Sequence, residues 1–101
     1  MREPRFHPAA RLELREAVEY FERKTEGLGA RFNDEVESAV SQIREYPSSA
    51  PILEDPVRKK VLRKFPYNIL YFAGDEEVFI LAVMNQKRRP GYWKWRLDER
   101  E

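Results

Sequence analysis

The sequence predicts an α+β domain in which a helical hairpin is followed by a small antiparallel sheet. Three observations carry this. Two stretches in the first half repeat apolar residues at helical spacing, with Gly27-Leu28-Gly29 between them. The second half holds three runs rich in aromatic and β-branched residues, bounded by turn residues. Lys and Arg concentrate in that same second half.

Arg5-Phe6-His7 reads as a short extended start. Pro8 suits the first turn of a helix, where its missing N–H costs nothing, and His7 reads as a helix-start residue. Ala10, Leu14, Ala17, Val18 and Phe21 then recur at helical spacing. After the glycine break, Leu28, Phe32, Val36, Ala39, Val40 and Ile43 form the cleanest amphipathic pattern in the chain. So short a break predicts two antiparallel helices. Pro47-Ser48-Ser49-Ala50-Pro51 ends the helical half, and Pro56 punctuates the loop beyond it. Val57–Phe65 reads as an outer strand with a wet side, Tyr67–Ala73 as a second strand, and Glu77–Met84 as a third. Its unbroken apolar run from Val78 to Met84 suits a central strand buried on both faces. Gly74-Asp75-Glu76 forms the hairpin turn between the last two. Both helices are expected to cover one face of this sheet.

A chain of 101 residues is near the usual size of one domain, and no linker divides it, so a single domain over residues 1–101 is expected. There is no cysteine, which excludes disulfides and zinc–thiolate sites and leaves the core to hold the fold alone. The charged start Met1-Arg2-Glu3-Pro4-Arg5 is unlike a secretory signal, and no apolar window suits a membrane helix; a cytoplasmic protein is expected.

The net charge of +1 hides a division. Residues 57–96 hold 10 basic side chains against 3 acidic, enough to steer an acidic partner toward one face, or merely to solvate the sheet. Two segments stand out. Strand alternation would send Arg58, Lys60 and Lys64 to one face and Lys59 and Arg63 to the other. The second segment, Lys87 to Arg96, interleaves Lys87, Arg88, Arg89, Lys94 and Arg96 with Tyr92, Trp93 and Trp95, and contains no acid. Such a segment can stack bases and bind phosphates, or form a protein interface where Trp, Tyr and Arg dominate. Alternatively the two indoles fold back over the core. Arg88, Arg89, Tyr92, Trp93, Lys94 and Arg96 are the candidates for target contacts. Pro90-Gly91 is expected to bend the chain and lay the aromatics along the sheet beside Arg58 and Lys60.

A catalytic site is harder to assemble. Cutting RNA by acid–base chemistry needs a base, an acid and cations for the phosphorane charge. Arg and Lys supply cations and Tyr92 a proton, but the one histidine, His7, sits at a helix start. No Gly-rich phosphate loop, Ser/His/Asp set or metal-spaced carboxylate cluster is present, so no metal or cofactor is expected.

Phe6-His7-Pro8-Ala9-Ala10, Glu13-Leu14 and Ala17, Gly27-Leu28-Gly29 and Phe32, Phe65-Pro66-Tyr67 with Ile69 and Tyr71, Ala82-Val83, and Arg89-Pro90-Gly91-Tyr92-Trp93 occur in that order. Together they resemble the ParE-like branch of the RelE/ParE toxin superfamily, the toxin halves of bacterial type II toxin–antitoxin (plasmid stabilisation) modules. The resemblance runs from about residue 5 to residue 96. It implies a β-α-α-β-β-β fold and a cognate antitoxin that wraps the toxin in a hetero-oligomer. It also implies inhibition of DNA gyrase by binding rather than catalysis. RelE-like relatives instead cut mRNA on the ribosome; by position, Arg58, Lys60, Arg88, Arg89 and Tyr92 are the candidates here for such a set. Many relatives carry His where this chain has Asn85, and Asn takes no proton near neutral pH. A non-toxic interaction domain of the same fold is the third reading. For the antitoxin, the amphipathic second helix and the nearby strand point to Leu28, Phe32 and Val36 as apolar contacts and Arg58, Arg63 and Lys64 as charged ones.

Overall fold

A computed structural model, which describes residues 3–99, runs β1 (Glu3–Phe6), α1 (Pro8–Lys24), α2 (Leu28–Glu45), β2 (Ile52–Glu54), β3 (Val57–Val61), β4 (Tyr67–Ala73) and β5 (Glu77–Asn85), and closes on a 3₁₀ turn, Lys94–Glu99. His7 starts α1 as expected: its backbone is extended and its Nδ1 accepts the Ala9 N–H at 3.0 Å, with Pro8 in the first turn. Gly27 reverses the chain through a left-handed conformation, φ 86°. Glu22 on α1 accepts the amides of Gly27 and Gly29 at 2.9 Å each, so it gives partners to donors at the start of α2. A Cβ on Gly29 would lie 2.5 Å from the Val18 carbonyl oxygen, which shows how closely the helices approach there. The apolar stripe read from the sequence is the buried one: Phe32, Val36, Ala39, Val40 and Ile43 all face inward.

The sheet order is β1-β5-β4-β3-β2, with β1 parallel to β5 and every other pair antiparallel. Three details differ from expectation. The parallel β1 makes the sheet mixed rather than wholly antiparallel. A three-residue strand, β2, precedes the meander and forms its edge. And β3 stops at Val61 instead of running to residue 65. Leu62 turns into the core, and the amides of Arg63 and Lys64 leave the ladder to donate to Glu35 Oε2 on α2, at 2.6 and 3.1 Å. The alternation predicted for residues 58–64 therefore holds only as far as Val61.

Opposite faces of the sheet carry separate cores. The hairpin covers one, where Ile69, Tyr71, Val78, Ile80 and Val83 meet the helices. Rings of Phe21, Phe32, Phe65 and Tyr67 seal its end at centroid distances of 4.9–5.8 Å. The other face, Val57, Leu70, Phe72, Leu81 and Ala82, packs against Trp93 from the C-terminal segment. Strand β5 is buried on both faces, as its unbroken apolar run predicts, and so is most of β4. In the β4–β5 register, Leu70 pairs with Ala82 and Tyr71 with Ile80, so Leu81 is skipped. That bulge sits where β1 has ended and bares one edge of β5.

Candidate functional site

After β5 the chain turns on Asn85, whose Oδ1 accepts the Lys87 amide at 2.9 Å. Gly91, at φ 77°, bends it again and lays the C-terminal segment over the second sheet face. Trp93 is 3% exposed and fills that face, whereas Trp95 is 51% exposed and stands edge-on to the His7 ring at 5.4 Å. The His7 Nε2 lies 3.2 Å from Glu99 Oε1. Since Nδ1 accepts from Ala9, Nε2 carries the hydrogen and donates to Glu99.

Glu13 on α1 is the centre of the site. Arg96 donates to both of its oxygens, Nη1 to Oε1 at 2.9 Å and Nη2 to Oε2 at 2.8 Å, a bidentate pair nearly shut off from water. The Tyr92 hydroxyl donates to Oε2 at 2.7 Å, and the Val83 amide to Oε1 at 3.0 Å. Arg96 Nη1 also donates to the Leu81 carbonyl at 2.9 Å. Carboxylate and guanidinium thus occupy the bare edge of β5 beyond β1 and satisfy one donor and one acceptor of its backbone. In doing so they answer the unpaired charge and most of the hydrogen-bonding cost of a buried ion pair, leaving the Arg96 Nε–H buried without a partner among the described residues. Burial pulls the Arg96 pKa down, but the hydrogen bond and charge of Glu13 more than restore it, and the net shift is upward. Burial first, then the hydrogen bond and charge of Glu13, raise the Tyr92 hydroxyl well above its ordinary value, against a lowering pull from Arg96 and Arg88. Tyr92 is therefore a neutral donor committed to Glu13.

Outside this cluster the surface is cationic. The Arg88 guanidinium stacks 3.9 Å over the Tyr92 ring, so Glu13, Tyr92 and Arg88 form one chain of contacts from helix to surface. Arg88, Arg89 and Lys94 are exposed. A groove of about 690 Å³ opens beside Trp93, with Val61 and Met84 on its apolar side and Lys59, Arg88 and Lys94 on its rim. A second groove, of about 500 Å³, runs between α1 and the β4–β5 end of the sheet, past Glu13, Tyr20, Tyr67, Asn85 and Lys87.

The residues singled out by sequence fall into two groups. Arg88, Arg89 and Lys94 present their charges to solvent; Trp93 and Arg96 are turned into the protein, and half-buried Tyr92 is tied to Glu13. The aromatics do lie along the sheet, but not beside Arg58 and Lys60. Those two point to the helix side, across from Tyr71 and Ile69, and Arg58 donates to the carbonyls of Ser48 and Ala50 at 3.2 and 2.7 Å. Their neighbour Lys59, which alternation sends the other way, shares the groove with Trp93. On α2, Phe32 and Val36 are core residues at 0% and 1% exposure, so they offer a partner no surface, and Leu28 is half-buried. Arg63 and Lys64 are exposed in the bend after β3. Sequence reasoning missed Glu13 as a functional group. Its signals were its place in the Glu13-Leu14 piece of the family resemblance and a lone carboxylate on the inward-facing side of α1, one turn before Ala17.

A family model described as the ParE toxin of type II toxin–antitoxin system, parDE, matches residues 5–90. Among solved structures, one titled "Chromosomal ParDE TA system from P. aeruginosa" superposes with a TM-score of 0.60 at 15% identity, covering 84% of this chain and 96% of that one. At that identity the likeness shows the fold, which is the arrangement the resemblance implied. No curated protein sequence matches the chain.

Proposed function

The chain belongs to the ParE toxin family of type II toxin–antitoxin systems, and on that premise we propose that it inhibits DNA gyrase by binding and is held inactive by a cognate antitoxin. We place this activity in the cytoplasm and assign it to one domain spanning residues 1–101. Arg88, Arg89 and Lys94 are the target contacts, supported from behind by Tyr92, Trp93 and Arg96. One observation carries the choice of binding over catalysis: the Tyr92 hydroxyl donates to Glu13 at 2.7 Å and Arg96 is buried against the same carboxylate. The one acid that an RNA-cutting site would draw from this segment is thus engaged in the fold, while Arg88 and Arg89 remain on an exposed basic face with no base or acid hydrogen-bonded to them among the described residues. The test is a supercoiling assay with gyrase and the purified chain, run beside ribosome-dependent translation of a defined mRNA. Inhibited supercoiling with intact mRNA is expected. Cleaved mRNA with unimpaired gyrase would replace this reading with the endonuclease, and inactivity in both assays would leave a non-toxic interaction domain.

A further inference from the structure

Arg88 and Lys94 are both exposed cations of the basic segment, but they are held differently. Lys94 is paired with Glu54 at 3.1 Å, so part of its charge is already answered. The Arg88 guanidinium lies 3.9 Å from the centre of the Tyr92 ring, a contact that covers one face of the group and leaves its charge intact. The backbone brings the two together. The Arg88 amide donates to the Asn85 carbonyl at 3.0 Å and the Tyr92 amide to the Arg89 carbonyl at 3.3 Å, with Gly91 bending the chain between them. These turns fold residue 88 back onto residue 92. The ring is held in place from behind: its hydroxyl donates to Glu13 at 2.7 Å, and Glu13 is fixed by Arg96 and the Val83 amide. A phenol that donates to a carboxylate shifts electron density into its ring, which strengthens the pull of the ring face on a cation. No group among the described residues accepts from the Arg88 N–H edge, and Arg88 lines both grooves, so it stands on the ridge between them.

We propose that Tyr92 is a positioning residue that holds the Arg88 guanidinium edge-out, as a two-pronged clamp for an oxyanion on the target. The inference rests on the reading of the chain as a gyrase inhibitor. It adds which cation makes the decisive contact, what geometry that contact needs and how the fold supplies it. A guanidinium with one face on a ring keeps its planar fork for two oxygens of one anion. The contact therefore depends on shape as well as charge. A lysine at position 88 would keep the charge but would have neither the flat face for the ring nor the fork. Glu13 acts one step further back, by fixing the ring.

Two measurements on the full chain test this, the first without gyrase. The Arg88 side-chain protons are followed by NMR, since a ring face shields protons that lie over it. The shielding should be present in the parent, largely kept in Tyr92→Phe and lost in Tyr92→Leu. Inorganic phosphate is the probe, and it should bind at the Arg88 Nε–H about threefold more tightly in the parent than in Tyr92→Leu. In supercoiling assays, Arg88→Lys and Tyr92→Leu should each raise the concentration for half-inhibition about tenfold, and Tyr92→Phe by less than about threefold. Arg15→Lys, at an exposed position on α1, is the control and should change nothing. Absent shielding in the parent, or phosphate that binds Arg88 equally well with and without the ring, overturns the clamp. So does inhibition that survives Arg88→Lys and Tyr92→Leu but falls in Arg88→Ala, because charge alone would then suffice. Equal losses in Tyr92→Phe and Tyr92→Leu would make Tyr92 a purely structural residue. Full inhibition by Arg88→Ala, or none by the parent, would sink the target reading instead, and the shielding and phosphate results would then decide the clamp by themselves.

Discussion

The helix-covered face of the sheet is sealed by apolar side chains drawn from two regular helices, whereas the opposite face is sealed by one indole and a knot of charges. On the first, most buried side chains follow from their place in a helical or strand repeat, and neighbours share the load. On the second, Trp93 fills the core, but the segment that carries it is anchored through Glu13 to α1, through Glu99 to His7 and through Lys94 to Glu54. The difference shows why the basic segment joins two tasks. The residues that hold it down leave Arg88 and Arg89 pointing outward, with Lys94 exposed beside Glu54.

Truncations on the two faces test the comparison with the largest effects. Phe32→Ala and Trp93→Ala should each cost about 3–5 kcal/mol in denaturant unfolding. A cost at Trp93 under about 1 kcal/mol would mean that the second face is not a core. The anchor is the next test. Glu13→Ala strands a buried guanidinium and should cost about 3–5 kcal/mol. Ordinary buried ion pairs can be replaced by apolar residues without loss, but this one also satisfies the Leu81 carbonyl and the Val83 amide. Glu13→Leu combined with Arg96→Met should therefore remain destabilised by about 2 kcal/mol. Parent-like stability in that double variant would remove the sheet-edge role.

A smaller effect is expected from Tyr92→Phe, which loses a hydrogen bond to a charged acceptor, about 1.5 kcal/mol. Its pH dependence has a definite sign. The fold favours the neutral phenol, so the contribution is complete below the ordinary tyrosine value of 10.0 and is lost as pH climbs from there toward the raised folded value. Stability of the parent should fall on that alkaline limb, and Tyr92→Phe should flatten the fall. Tyr71, whose hydroxyl is also raised by burial, keeps part of it. Stability profiles of both proteins from neutral pH upward would check this. The smallest stability change belongs to Arg88→Ala with Arg89→Ala, within about 0.5 kcal/mol of the parent, because both side chains are exposed. Gyrase inhibition and growth arrest should nonetheless disappear. Retained toxicity in this stable variant would place the target contacts elsewhere on the fold.

The sequence by itself determined the helical hairpin, the helix start at His7-Pro8, the buried stripe of α2 and the twice-buried β5. Each is a local pattern, in which period, cap residue or break specifies the backbone without reference to distant residues. It also located the basic segment from Lys87 to Arg96 by density alone. Only the tertiary structure decided which residues of that segment serve the fold. In an extended reading, Trp93 and Trp95 share a side and Tyr92, Lys94 and Arg96 share the other. The Gly91 turn and the 3₁₀ geometry instead bury Trp93 and Arg96 while exposing Trp95 and Lys94. Glu13 was invisible for the same reason. Its partners Val83, Tyr92 and Arg96 lie 70 to 83 residues away, and nothing in the local sequence of α1 marks a carboxylate that will meet the bare edge of β5. Periodicity records what a residue does within its own element; it does not record where one element ends beside another and leaves backbone groups for a distant ion pair to satisfy.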